Sequence, residues 1–111
     1  MKILRNVLEK ITQKLDKERI DDYEVNESIP RDVVSVDLEN GQTKIYIPED
    51  YDYAQYEIDD FLRSKSSIIR TTTETERDIT VMKVDKTLTI NQIYDLIRFI
   101  IKNYDFCSIK G

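Results

Sequence analysis

The sequence predicts one α+β domain: an N-terminal amphipathic helix, then two β-hairpin-plus-helix units, giving a four-stranded, mainly antiparallel sheet with helices on one face. Three observations predict it. Apolar residues recur at helical spacing near the start; two β-branched stretches each fold back on themselves; and each of those is followed by a helix with similar opening residues. The 111 residues suit a single core spanning 1–111, and 40% hydrophobic residues supply enough apolar material to offset ordering.

Ile3, Leu4, Val7, Leu8, Ile11 and Leu15 fall within an arc of about 140° at about 100° per residue, so residues 3–18 read as a helix within a basic segment 1–20. Lys2, Arg5, Lys10, Lys14 and Lys17 occupy its polar side. The apolar stripe is expected to pack on the protein's own core rather than on a membrane surface. Residues 21–32 read as an acidic connector.

The first hairpin-helix unit is placed at 33–65. Val34, Val36 and Leu38 alternate with polar residues, as do Ile45 and Ile47, and Asn40 and Gly41 between them tolerate positive φ; the turn type stays open. The second unit is placed at 68–104. Ile68–Thr73 and Ile79–Val84 are its strands, joined by polar residues 74–78, with the inward face ambiguous because Val81 and Met82 alternate.

Both helices carry a capping-box pattern. Asp52 with Gln55 is flanked by Tyr51 and Tyr56 as a hydrophobic staple, and Thr89 with Gln92 is flanked by Leu88 and Ile93. The offset is 37 residues in each case, which suggests a duplicated β-β-α unit. Ala54, Ile58, Phe61 and Leu62 share one face of the second helix; Ile93, Leu96, Ile97, Ile100, Ile101 and Tyr104 share one of the third. Residues 105–110 are either a tail or a short final strand.

The chain has no histidine, one cysteine and two glycines, which removes the commonest general base, thiolate zinc sites and glycine-rich phosphate loops. No catalytic residue, cofactor or metal site is expected, and the protein is expected not to be an enzyme. Glu49, Asp50, Asp52, Asp59 and Asp60 are oxygen ligands in principle, but acids at a helix start also complement its dipole. Lone Cys107 forms no internal disulfide, no leader-like segment opens the sequence, and no apolar run reaches the ~18 residues of a membrane span, so a cytoplasmic protein without a membrane partner is expected.

Charge is distributed unevenly. Residues 1–19 sum to +3, residues 20–62 to −11 and residues 63–111 to +3. The acidic middle should repel nucleic acid and attract basic partners. Tyr46, Tyr53 and Tyr56 are placed outward beside Glu49, Asp50, Asp52, Asp59 and Asp60, and tyrosine offers a large apolar contact area with a polar tip. These eight residues form the expected partner-binding surface. The function expected is a small protein-binding module. With one alanine and abundant Ile, Lys and Asp, the composition hints at an AT-rich genome, so an inhibitor or accessory protein of a phage or other mobile element is the specific form.

Two other roles follow from other features. Phe99 points off its helix's main stripe, toward the N-terminal helix or a second subunit, as in a homo-oligomer or a virion-like assembly. Nucleic-acid binding through a sheet face or the basic terminal segments would use Arg70, Arg77, Lys83 and Lys86 with Lys10, Lys14 and Lys17, and the pI of about 4.8 weighs against it.

Overall fold

A computed structural model describes residues 2–111, with side chains from residue 6 onward. Helix α1 (Lys2–Lys17) buries Ile11 and Leu15 completely and Val7 and Leu8 in part. Ile3, Leu4, Lys2 and Arg5 lie outside the described side chains. The helix stops without a glycine. Arg19 takes a left-handed conformation (φ 59°), its N–H reaches the Asp16 carbonyl at 3.0 Å, and the Ile20 N–H reaches that of Leu15 at 2.9 Å. This is the Schellman arrangement, and it brings Ile20 onto the core beside Leu15.

The expected connector contains strand β1 (Tyr23–Val25). Strands β2 (Ser35–Asp37) and β3 (Lys44–Pro48) form the first hairpin, with Val36 facing Ile45. Asn40 and Gly41 between them do take positive φ, at 64° and 76°. Helix α2 (Ala54–Lys65) follows through a 3-10 turn at Glu49–Tyr51. Strands β4 (Thr71–Glu76) and β5 (Ile79–Val84) then lead to helix α3 (Ile90–Tyr104) and strand β6 (Cys107–Lys110).

The sheet differs from the expected one. It has six strands in the order β1-β6-β2-β3-β5-β4 and is mixed, because β6 pairs parallel with both β1 and β2. Three-residue β1 lies in an acidic run with no alternation to mark it, and its ladder partner is more than eighty residues away: Tyr23 faces Cys107. The second hairpin is also shifted. Strand β4 runs through Glu76, and Arg77 and Asp78 alone make the turn, with φ of 49° and 68°. Positive φ at both positions is the type I′ geometry that matches strand twist.

Both hairpins keep one register after a shift of 37 residues: Val36 faces Ile45, and Thr73 faces Met82. Where the hairpins meet, Ile45 faces Met82, residues that are themselves 37 apart. The inward face of β5 is thereby settled. Met82 and Val84 join the core with Ile45 and Ile47, while Ile79 and Val81 are buried on the opposite face.

Helices α1, α2 and α3 all contribute to the cluster that includes Val36, Ile45, Met82, Cys107 and Ile109, so they cover one face of the sheet. Thr89 closes the expected capping box: its hydroxyl accepts from the Gln92 N–H at 3.1 Å, and its own N–H donates to the Gln92 side chain at 2.9 Å. Asp52 does not cap α2. The 3-10 turn after Pro48 delivers it already in helical conformation (φ −52°, ψ −36°), whereas a cap requires extended backbone. Its carboxylate instead accepts from the Gln55 amide at 2.9 Å and from the Thr80 hydroxyl at 3.3 Å. The Tyr51–Tyr56 staple is likewise absent among the described contacts, because Tyr51 packs on Tyr53 and on Tyr104 of α3 while Tyr56 stands free. Among the described residues no helix is long and apolar enough to cross a membrane.

Candidate functional site

The segment 49–60 carries most of the residues expected to bind a partner. Pro48 ends β3 and cannot donate to a further ladder bond, so the chain turns there into the 3-10 turn and exposes Glu49 and Asp50. Asp52, Tyr53, Tyr56 and Asp60 are exposed on the turn that follows and on the outer side of α2. Tyr53 is 53% and Tyr56 68% exposed. Among the described residues no Lys or Arg pairs with Glu49, Asp50, Asp52 or Asp60.

Two of the eight expected residues fall elsewhere. Tyr46 is on the helix-free face of the sheet and half-buried; burial, then the neighbouring Asp37 and Glu76, raise its phenol above its ordinary range. Asp59 is on the side of α2 facing β4, held by Arg63 at 3.1 Å and by the Thr71 hydroxyl at 2.7 Å. A carboxylate so engaged has little left for a partner.

Beneath the exposed tyrosines is an aromatic ribbon that sequence reading did not assemble. Tyr53 meets Tyr51 at 6.4 Å and Tyr104 at 6.1 Å between ring centroids, Tyr104 meets Phe99 at 6.2 Å, and Phe99 stacks on Phe61 at 4.3 Å. The Tyr104 hydroxyl donates to Glu57 at 2.7 Å, tying α3 to α2, and burial followed by this bond pushes its phenol far above its ordinary range. Phe99 therefore contacts α2 within the same chain, and its ring is only partly exposed. The signal for the ribbon was present in the antiparallel spacing of the two helices, with 53 opposite 104 and 61 opposite 99, but only once the helices are known to be neighbours.

At its far end the ribbon floors an open groove of about 480 Å³ with Phe61, Phe99 and Ile101, walled by Arg19, Arg98 and Lys102. The groove's charges are mixed, since Lys65 pairs with Asp95 at 3.5 Å and Arg98 with Glu18 at 3.6 Å. The basic set considered for nucleic acid is dispersed and partly engaged. Lys14 donates to Asn91 and lies 4.3 Å from the Tyr94 ring centroid, and Lys83 pairs with Glu74. Cys107 is fully buried, which pushes its thiol far up and makes it a core residue rather than a nucleophile. Set against protein-family models, curated proteins and solved structures, the chain matches none.

Proposed function

We propose that this chain is a non-enzymatic protein-binding module, and that it docks a basic, extended or turn-like segment of a partner on the surface formed by Glu49, Asp50, Asp52, Tyr53, Tyr56 and Asp60. One observation carries the reading. Tyr53 is more than half exposed and yet its ring is braced by Tyr51 and Tyr104, so it presents apolar area that loses little freedom on binding. The surrounding carboxylates, which no Lys or Arg pairs among the described residues, supply complementary charge for lysine or arginine and would speed encounter. A role as an inhibitor or accessory protein of a mobile element is the form this proposal takes from composition alone.

Selection of a random peptide library on the immobilised protein tests it. Enriched peptides should be rich in Lys and Arg with an aromatic or aliphatic anchor, should bind less well as salt rises, and should lose at least tenfold in affinity to a Tyr53→Ala, Tyr56→Ala, Asp60→Lys variant, the loss expected of one aromatic hot spot. No enrichment, or equal binding to that variant, would remove the proposed surface.

A further inference from the structure

We propose that strand β4 is a homodimerisation edge, pairing antiparallel with β4 of a second copy about a two-fold axis through Thr73. Strand β4 ends the sheet and exposes five of its six residues. Natural edges are usually blunted by charged side chains, lysine above all, and by proline, bulges or brevity. Strand β4 contains neither lysine nor proline, its only charges are Glu74 and Glu76, and its six-residue register with β5 is continuous. The other edge, β1, is only three residues long.

The hydrogen-bond pattern fixes which backbone groups are free. The Arg70 carbonyl accepts from the Asp85 N–H at 3.0 Å, and bonded pairs alternate along an antiparallel ladder, so Arg70, Thr72, Glu74 and Glu76 turn their N–H and C=O groups toward β5. The two-residue turn at Arg77 and Asp78 closes on Glu76 and Ile79 in the same phase. Thr71, Thr73 and Thr75 therefore direct theirs outward.

A second β4 must present the same groups, which allows a two-fold axis through any residue from Thr71 to Thr75, and side-chain charge and the length of paired strand choose among them. An axis through Thr75 sets Glu74 opposite Glu76 of the second copy, and one through Glu74 sets that residue opposite itself, like charges directly across. An axis through Thr71 or Thr72 pairs only the first residues of β4 with each other and leaves Glu76 beyond them. With the axis through Thr73, Thr71 bonds Thr75 of the second copy, Thr72 lies opposite Glu74, and Arg70 lies opposite Glu76, twice by symmetry. Glu74 is already neutralised by Lys83 at 3.3 Å, whereas Glu76 has no cation among the described residues. Because the contact is isologous, association closes at two copies and covers the β4 edge of each.

Light scattering coupled to size exclusion, over a hundredfold range of concentration, should show a monomer–dimer equilibrium of the full chain. Thr73→Pro deletes an outward N–H that β5 does not use, a position where an edge strand accepts proline, and should leave a folded monomer. Glu76→Arg or Arg70→Glu should each weaken dimerisation roughly tenfold, and the double swap should restore it. Amide exchange at Thr71, Thr73 and Thr75 should slow as concentration rises, while that at Thr72 and Glu74 stays slow throughout. A protein monomeric at every concentration, or a dimer whose stability the double swap fails to restore, would overturn the proposal. Should Thr73→Pro disturb folding, the charge-swap series decides alone.

Discussion

Replacing Phe99 by alanine asks whether its ring belongs to the fold or to a contact between chains. Removing a fully buried phenylalanine costs about 3–5 kcal/mol, and Phe99 is only half-buried, so burial accounts for roughly 2 kcal/mol. The 4.3 Å stack on Phe61 and the edge contact with Tyr104 add about 0.5–1.5 kcal/mol. The expected loss is about 3 kcal/mol, equivalent to a fall in melting temperature of roughly 10 °C for a domain of this size. Urea unfolding of Phe99→Ala, Phe61→Ala and the double variant measures it. The cycle should return a coupling of about 1 kcal/mol, because each single change already empties the shared contact. A loss below about 0.5 kcal/mol, or no coupling, would show that the stack contributes nothing and refute the assignment of Phe99 to the α2–α3 seam.

Two further stability measurements probe other parts of the fold. Thr89→Ala opens the capping box of α3 and should cost about 1 kcal/mol in urea unfolding, and Thr89→Ser should recover most of it; an alanine variant as stable as the parent would mean that the helix start is held by Leu88 and Ile93 alone. In alkali, burial holds the Cys107 thiol and the Tyr104 phenol protonated above their ordinary values of 9.0 and 10.0, while the unfolded chain releases both protons at those values. Their contribution is thus complete below pH 9.0 and declines as pH rises, by about 1.4 kcal/mol per pH unit for each group. Cys107→Ala should abolish the part of the decline that begins first, and an unchanged profile would contradict the burial of the thiol.

Much of the fold was legible because periodicity reports burial directly. The stripes of α2 and α3 were read correctly at Ala54, Ile58, Leu62, Ile93, Leu96, Ile97 and Ile100, all of which are buried, and Thr89 announced its own cap. The parallel flank of the sheet was not legible. Strand β1 is the tripeptide Tyr23–Val25, and strand β6 the tetrapeptide Cys107–Lys110; β1 exists because β6 supplies its ladder partners, and β6 because β1 and β2 flank it, all distant in sequence. Asp52 misled because the capping rule presumes extended backbone at the cap, a condition that the turn at Glu49–Tyr51 removes.

For the candidate site, exposure of Tyr53 and Tyr56 followed from the helical wheel once Ala54 and Ile58 were inward. Tyr46 did not join them, since strand alternation turned it to the sheet face that no helix covers, and that face is separate from the outer side of α2. Asp59 was legible as a surface acid, but its capture by Thr71 depends on β4 lying beneath that side of α2, a tertiary fact. The brace under Tyr53 likewise needs the end of α3 to reach the start of α2.

Where a selected basic peptide lands is the most direct test of the docking surface. In an amide and aromatic NMR titration of the full chain, the largest shifts should fall on Glu49, Asp50, Asp52, Tyr53, Tyr56 and Asp60, with smaller ones passing through Tyr51 and Tyr104 beneath. Shifts concentrated instead on Arg19, Arg98 and Lys102, or on the sheet face around Tyr46, would contradict it.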